Sequence, residues 1–256
     1  MPETEDVLYT RDGPVAWITL NRPEAHNALS ASVRDGLRER FDQFVADDDA
    51  QVLVLTGAGE KAFCAGGDLK EMSSQKLGPP PPDFIPHLNR NITVEKPVIA
   101  AVNGVAFGGG FLLAQMCDLC IAADSAKFGV TEARWGRGAP WGAPLGWMIP
   151  PRVAMELMMT AQPVSAQRAF ELGLVNRVVP AAGLREAAQS MAEVIAGNAP
   201  LSVRASKAMV YATAECGWTE GLEVADRIWD PVYRSNDAQE GPLAFSEKRA
   251  PRWTAT

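Results

Sequence analysis

The stretch "NGVAFGGGFLLAQ", Asn103 to Gln115, constrains this chain more than any other. Three consecutive glycines, Gly108, Gly109 and Gly110, stand directly ahead of a run that reads as helix. Glycine loses more backbone freedom on folding than any other residue, so three in succession are costly to order. They are expected where a strand must turn abruptly into a helix and where something approaches the backbone closely. The first helical turn then carries Phe111, Leu112 and Leu113, all apolar.

The surrounding pattern is that of an α/β protein. "VAWITLNRP" (Val15–Pro23) and "AQVLVLTGAG" (Ala50–Gly59) read as strands ending in turns. Between them lies a helix capped by Ser30, with Val33, Leu37, Phe41 and Val45 at helical spacing. "KPVIAAVNG" is a third strand, "DLCIAADSAKFG" holds a fourth and "LVNRVVP" a short fifth, with helices between them. In "VSAQRAFELG", Ser165 is the expected cap and Gly173 the stop. From Ala182 onward the chain reads as almost entirely helical, in four segments: 182–196, 201–216, 218–229 and 237–249. The expected organisation is an α/β core over 1–196 followed by a helical region over 197–256, with no linker between them. Four consecutive prolines in "KLGPPPPDFIP" exclude helix and central strand there and predict an extended loop.

Length and charge narrow the function. A chain of 256 residues suits one large domain with a sizeable core. A net charge of -7 without a long basic block argues against nucleic acid as a main partner. The start "MPETEDVLYT" is acidic and has no apolar centre, unlike a secretory or transit segment. No apolar run approaches the roughly 20 residues of a membrane helix, so a soluble, cytoplasmic protein is expected. Cys117 and Cys120 form a C-x-x-C, but the only histidines, His26 and His87, show no ligand spacing. These cysteines are read as small apolar residues at a helix-to-strand junction, and no metal or other cofactor is expected. "VLVLTGAGEKAF" opens like a dinucleotide fingerprint, yet its third glycine position is Ala62 and no helix opens there, so that reading is rejected.

A second glycine segment, "KAFCAGGDLKEM" (Lys61–Met72), resembles the first in placing small residues where a strand ends and a helix begins. A helix start offers unpaired N–H groups and the positive end of the helix dipole. One N–H from each segment could hold an oxygen that becomes negative during a reaction. Taken singly, either segment is explained equally well by tight turns and close packing.

The order and spacing of "LNRPEAHNALS", "AFCAGGDLKEM", "KPVIAAVNGVAFGGGFLLAQMCD", "AKFGVTEARWG", "SAQRAFELGLVNRVV" and "AFSEKRAPRW" resemble the crotonase superfamily, the enoyl-CoA hydratase/isomerase family, over nearly the full length. The resemblance implies a spiral of β-β-α units with a helical trimerisation region, assembled as a trimer or a dimer of trimers. It implies an acyl-CoA thioester as substrate, with coenzyme A part of that substrate. The backbone N–H groups that hold the thioester carbonyl map to Gly67 and Gly109. One family carboxylate falls on Glu132, expected to be buried with a raised pKa among Trp135, Trp141, Phe107 and Leu112. The other falls on Leu112, which moves no protons, and Pro140 stands about where dienoyl isomerases carry an aspartate. Glu132 is therefore the expected sole acid/base, for hydration and dehydration or for a double-bond shift. The resemblance places Arg22, Glu24, Ala25, Lys61 and Ala65 along the nucleotide, and Lys248, with Arg249 weaker, against its phosphates. Gly66 and Asp68 complete the binding set, more as turn and helix-capping residues than as chemistry. The alternative from another class is an acyl-CoA-binding homologue with little activity.

Overall fold

The computed structural model describes residues 5–75 and 78–256. Residues 1–4 of the acidic start, and Lys76 and Leu77 at the head of the proline-rich segment, lie outside the described residues. Two sheets organise the chain. Strands β1 (Val7–Asp12), β2 (Val15–Leu20), β3 (Val52–Gly57), β5 (Val98–Val102), β7 (Leu119–Ala123) and β10 (Arg177–Val179) form the larger, in the order β1-β2-β3-β5-β7-β10. Strands β4 (Ala62–Cys64), β6 (Val105–Phe107), β8 (Lys127–Gly129) and β9 (Val164–Ser165) form the smaller. Among the described residues, only the β1–β2 and β8–β9 pairs are antiparallel.

From β3 to β8, consecutive strands alternate between the sheets. β3 leads to β4 and then to helix α2 (Leu69–Gln75); β5 leads to β6 and then to helix α3 (Gly109–Met116). Each turn thus gives one strand to each sheet before its helix, which is the β-β-α spiral. The central strands are apolar along their whole length, as parallel strands covered on both faces must be: every residue of β5, "VIAAV", is buried. Helix α1 (Ala31–Ala46) starts at Ser30, whose side chain accepts from the Val33 N–H, and buries Val33, Leu37, Phe41 and Phe44. The fourth core position is Phe44 and not the expected Val45, which is 46% exposed. Helix α7 (Leu184–Ala196) packs across β2, β3, β5 and β7 and closes the far face.

Several expected elements shift. The first sequence-predicted strand, Val15–Pro23, ends at Leu20, and Pro23 opens a short 3-10 turn. The fourth divides into β7 and β8, because the turn at 124–126 carries the chain from one sheet to the other. The acidic start conceals β1, an edge strand with only Val7 buried. At three residues each, β4 and β6 are too short to show a period. The C-terminal helices α8 (Pro200–Thr213), α9 (Trp218–Tyr233) and α10 (Asp237–Ser246) are present, α9 running past the expected end through Pro231. Cys117 ends α3 and Cys120 lies in β7; both are buried free thiols, and burial pushes the Cys120 pKa up to about 12. Among the described residues, no helix is long and apolar enough to cross a membrane.

Candidate active site

Strands β4 and β6 run parallel as neighbours, so their C-terminal ends lie side by side. From β4 the chain passes through Ala65, Gly66 and Gly67 into α2; from β6 it passes through Gly108 into α3. The three glycines there do different things. Gly108 takes φ +53°, a left-handed conformation that makes the strand-to-helix turn. A Cβ on Gly110 would lie 2.0 Å from the Cys64 carbonyl oxygen, so this glycine lets α3 press against β4. Gly109, between them, faces a cavity of about 1250 Å³ that Gly66 and Gly67 also line.

Two of the glycines that line the cavity, Gly67 and Gly109, carry N–H groups that the sheets and helices do not use. Leu29 pairs with Gly67 in an isolated parallel bridge, its N–H donating to the Gly66 carbonyl. In a parallel bridge of this kind the bonds run to the groups flanking Gly67, leaving the Gly67 N–H directed away from Leu29. The Gly109 N–H, at the first position of α3, has no acceptor within the helix. Neither donates to a backbone acceptor among the described residues. Gly66, at φ +94°, is held against the Phe107 carbonyl, and its ideal Cβ position lies 3.4 Å from the Gly109 nitrogen, which brings the two segments together.

Against the glycine turn stands Glu132, the first residue of a 3-10 turn. Its Oε1 accepts from the Trp141 indole N–H at 3.1 Å, and its Oε2 is buried without a partner among the described residues. A Cβ on Gly108 would lie 3.2 Å from Oε1, so the carboxylate sits directly over the glycine turn. Burial raises the Glu132 pKa above the ordinary carboxylate value, outweighing the Trp141 hydrogen bond and nearby backbone N–H groups. Leu112, 3% exposed, and Trp135, 60% exposed, line the same cavity. Phe107 does not: its ring packs on Gly129, a correction to the expected surroundings of Glu132 that follows from Phe107 being a strand residue paired with Gly129. Pro140 also lines the cavity and opens the turn that carries Trp141.

The remaining expected residues divide. Arg22, Glu24, Ala25, Ala65 and Asp68 line the cavity. Asp68 accepts from the Lys70 and Glu71 N–H groups and so caps α2, while Arg22 reaches it at 3.5 Å. Lys61 lies outside the lining; its side chain is exposed and its carbonyl pairs with the Val105 N–H at the start of β6. Lys248 is likewise outside the lining of the single chain, exposed just beyond α10 with φ +55°. Arg249 is committed to Glu240 at 2.5 and 2.9 Å and to Glu247.

Other residues give the site its form without having been singled out from the sequence. Asn27 is fully buried, accepts from the Arg22 N–H, and donates to the Ala58 and Ala62 carbonyls. It fastens the 22–28 loop to the β3–β4 connection. Its φ of +55° is a conformation asparagine tolerates better than most residues. The proline-rich segment forms another wall, through Pro79–Pro82, Phe84 and Ile85. Arg34 stacks 4.0 Å from the Phe84 ring centroid, and Asn91 donates to the Pro82 and Ile85 carbonyls. These are long-range contacts, and a linear pattern carries no signal for them.

Comparisons with known proteins agree with this arrangement. The sequence profile of the enoyl-CoA hydratase/isomerase family matches residues 10–256. The chain is 40% identical to the carnitinyl-CoA dehydratase of Salmonella typhi and 41% identical to that of Proteus mirabilis, over 98% of each chain. Its fold is similar to the enoyl-CoA hydratase of Mycobacterium tuberculosis, with a TM-score of 0.87 and 37% identity, covering 99% of this chain and 100% of that one. The Bacillus anthracis enoyl-CoA hydratase gives a TM-score of 0.88 at 34% identity, covering 98% of this chain and 100% of that one. The chain belongs to the enoyl-CoA hydratase/isomerase family of the crotonase superfamily.

Proposed function

We propose that this protein adds water to, or removes it from, an acyl-CoA thioester, with Glu132 as its only acid/base. The observation that carries this reading is the buried Glu132 carboxylate, seated 3.2 Å from where a Cβ on Gly108 would lie, in the same cavity that Gly67 and Gly109 line. The thioester carbonyl lies between the Gly67 and Gly109 N–H groups, which makes the α-proton acidic and stabilises the enolate. Glu132 takes the α-proton. The carboxylic acid so formed then protonates the β-hydroxyl, which leaves as water while the enolate electron pair closes the α,β double bond. The proton removed is the proton delivered, so a single carboxylate balances the reaction in both directions. The raised pKa of Glu132 suits a group that must both accept and return a proton.

A second reading follows from Leu112. An apolar residue there gives a water no charged partner beside the thioester. The same carboxylate returning its proton to the γ-carbon would shift a double bond instead. Arg22, Glu24, Ala25, Ala65, Gly66 and Asp68 form the proposed nucleotide end of the cavity. Lys61 flanks it, and Lys248 reaches phosphate only from a neighbouring subunit. The 197–256 region is the proposed CoA-covering and assembly part of a trimer or dimer of trimers, supported by exposed Val210, Trp218 and Tyr233 on its helices. The test is turnover of β-hydroxyacyl-, α,β-enoyl- and β,γ-enoyl-CoA thioesters of matched chain length. Interconversion of the first two is expected. Turnover of the third alone selects the double-bond shift, and binding without turnover of any selects the non-catalytic alternative.

A further inference from the structure

Gln115, in α3, donates from Nε2 to the Trp141 carbonyl at 3.2 Å. Its Oε1 is buried without a partner among the described residues. The orientation of the amide is fixed by the Trp141 carbonyl, which accepts only from a donor. Gln115 lies one helical turn beyond Phe111, and the Phe111 ring meets the Trp141 indole edge-on, with centroids 6.0 Å apart. Phe111 in turn meets Phe128 of β8 edge-on at 5.9 Å. Trp141, 7% exposed, is therefore gripped by α3 at its backbone and at its ring, and its one polar atom points at Glu132 Oε1.

From this chain of contacts we infer that Trp141 is a positioning residue for the acid/base step, anchored by Gln115, and that it assigns the two Glu132 oxygens different work. Oε1 is held by the indole N–H, which fixes the orientation of the carboxylate, while Oε2 is left without a hydrogen-bond partner among the described residues and so available to carry a proton. This inference rests on the proposed role of Glu132. The groups that act on the Glu132 charge are burial, the indole N–H and the backbone N–H groups of Thr131 and Glu132, none of them a charge. The charged and titratable groups elsewhere on the cavity wall, Arg22, Glu24, Asp68, Lys70, Arg90 and Arg137 with His26 and His87, are not among them. Trp141 is thus the one side chain that stabilises the carboxylate form. Without its N–H the carboxylate is more weakly held, and both its orientation and its proton affinity change.

The test is a pH profile of kcat and kcat/KM for the wild type, Trp141→Phe, Gln115→Met and Glu132→Gln, on whichever acyl-CoA thioester the wild type turns over. Trp141→Phe keeps the aromatic packing on Phe111 and deletes the N–H. Its kcat is expected to fall roughly 10- to 100-fold with KM little changed, as misplacement of a reacting group does. Its acidic limb should move to higher pH, because the hydrogen bond it lacks favoured the charged form. Gln115→Met should move the same limb the same way by less. If Trp141→Phe does not fold, replacing Trp141 by benzothienylalanine, which keeps the indole shape without its N–H, makes the same measurement. A folded variant lacking the N–H, with the wild-type acidic limb and kcat, overturns the inference. Retained activity in Glu132→Gln overturns the function reading itself, so the two failures are distinguishable.

Discussion

Two walls of one cavity solve different problems with different materials. The glycine wall, just past the ends of β4 and β6, holds Gly67 and Gly109, whose N–H groups are the proposed oxyanion donors. The adjoining wall presents side chains, Glu132 against Gly108 with Trp141 hydrogen-bonded to it. Backbone amides just beyond a parallel pair of strands are held in place by the sheet and by α3, so they suit the proposed task of meeting negative charge in one place. A carboxylate that moves a proton must change state, so its wall is made of a group whose proton affinity is set by burial and one hydrogen bond. The first wall depends on having no side chains; the second depends on having particular ones. Substitutions in the two should therefore fail differently.

The largest effect is expected at Gly110, where a methyl group would meet the Cys64 carbonyl oxygen at 2.0 Å. Neither α3 nor β4 can yield without disturbing both glycine segments, so Gly110→Ala should destabilise the fold by upwards of ~3 kcal/mol. A melting curve indistinguishable from the wild type would show that α3 shifts freely on β4. Next is Gly109→Pro, which deletes the N–H at a helix position that accepts proline. Its turnover should fall roughly 100- to 1,000-fold, with acyl-CoA binding retained. An added Cβ would first meet the flexible ends of Leu29 and Ile85, at 2.7 and 3.2 Å, and circular dichroism is the control that the variant folds. A folded variant with unaltered turnover would remove Gly109 from the glycine wall's function. Smallest is Leu112→Glu, which adds a second carboxylate beside the first. Burying an unpaired charge costs stability. If the variant folds, hydration of an α,β-enoyl-CoA should rise relative to isomerisation of the β,γ-isomer. A wild type that hydrates rapidly and loses that rate in the variant would contradict the idea that Leu112 handicaps water addition.

The two walls also differ in how far the sequence shows them. Gly66, Gly67 and Gly108–Gly110 stand out because glycine at a strand end has few explanations, and "CAGGD" and "FGGGF" each carry it within five residues. Glu132 was reachable through the motif around it, and its burial was expected from its neighbours. Its hydrogen-bond partner was not: Trp141 is nine residues away across two turns, and Gln115 comes from another helix. Phe107 was assigned to the pocket on composition, yet strand pairing with Gly129 decides where it faces. Lys248 and Lys61 carry charge without local context, and the single chain leaves both outside the cavity lining. Elements followed the same rule. Long, periodic segments such as α1 could be read directly, whereas β4 and β6, three residues each, exist because a neighbouring strand pairs with them.

The central proposal is that the glycine N–H groups hold an enolate oxygen while Glu132 moves the α-proton. Exchange of the α-proton of a saturated acyl-CoA in heavy water, followed by mass spectrometry or NMR, isolates this step from whatever follows it. The wild type should catalyse the exchange, and Glu132→Gln, with acyl-CoA binding intact, should exchange at least about 100-fold more slowly. Exchange at the wild-type rate in a folded Glu132→Gln protein would show that another group carries the proton and would contradict the account.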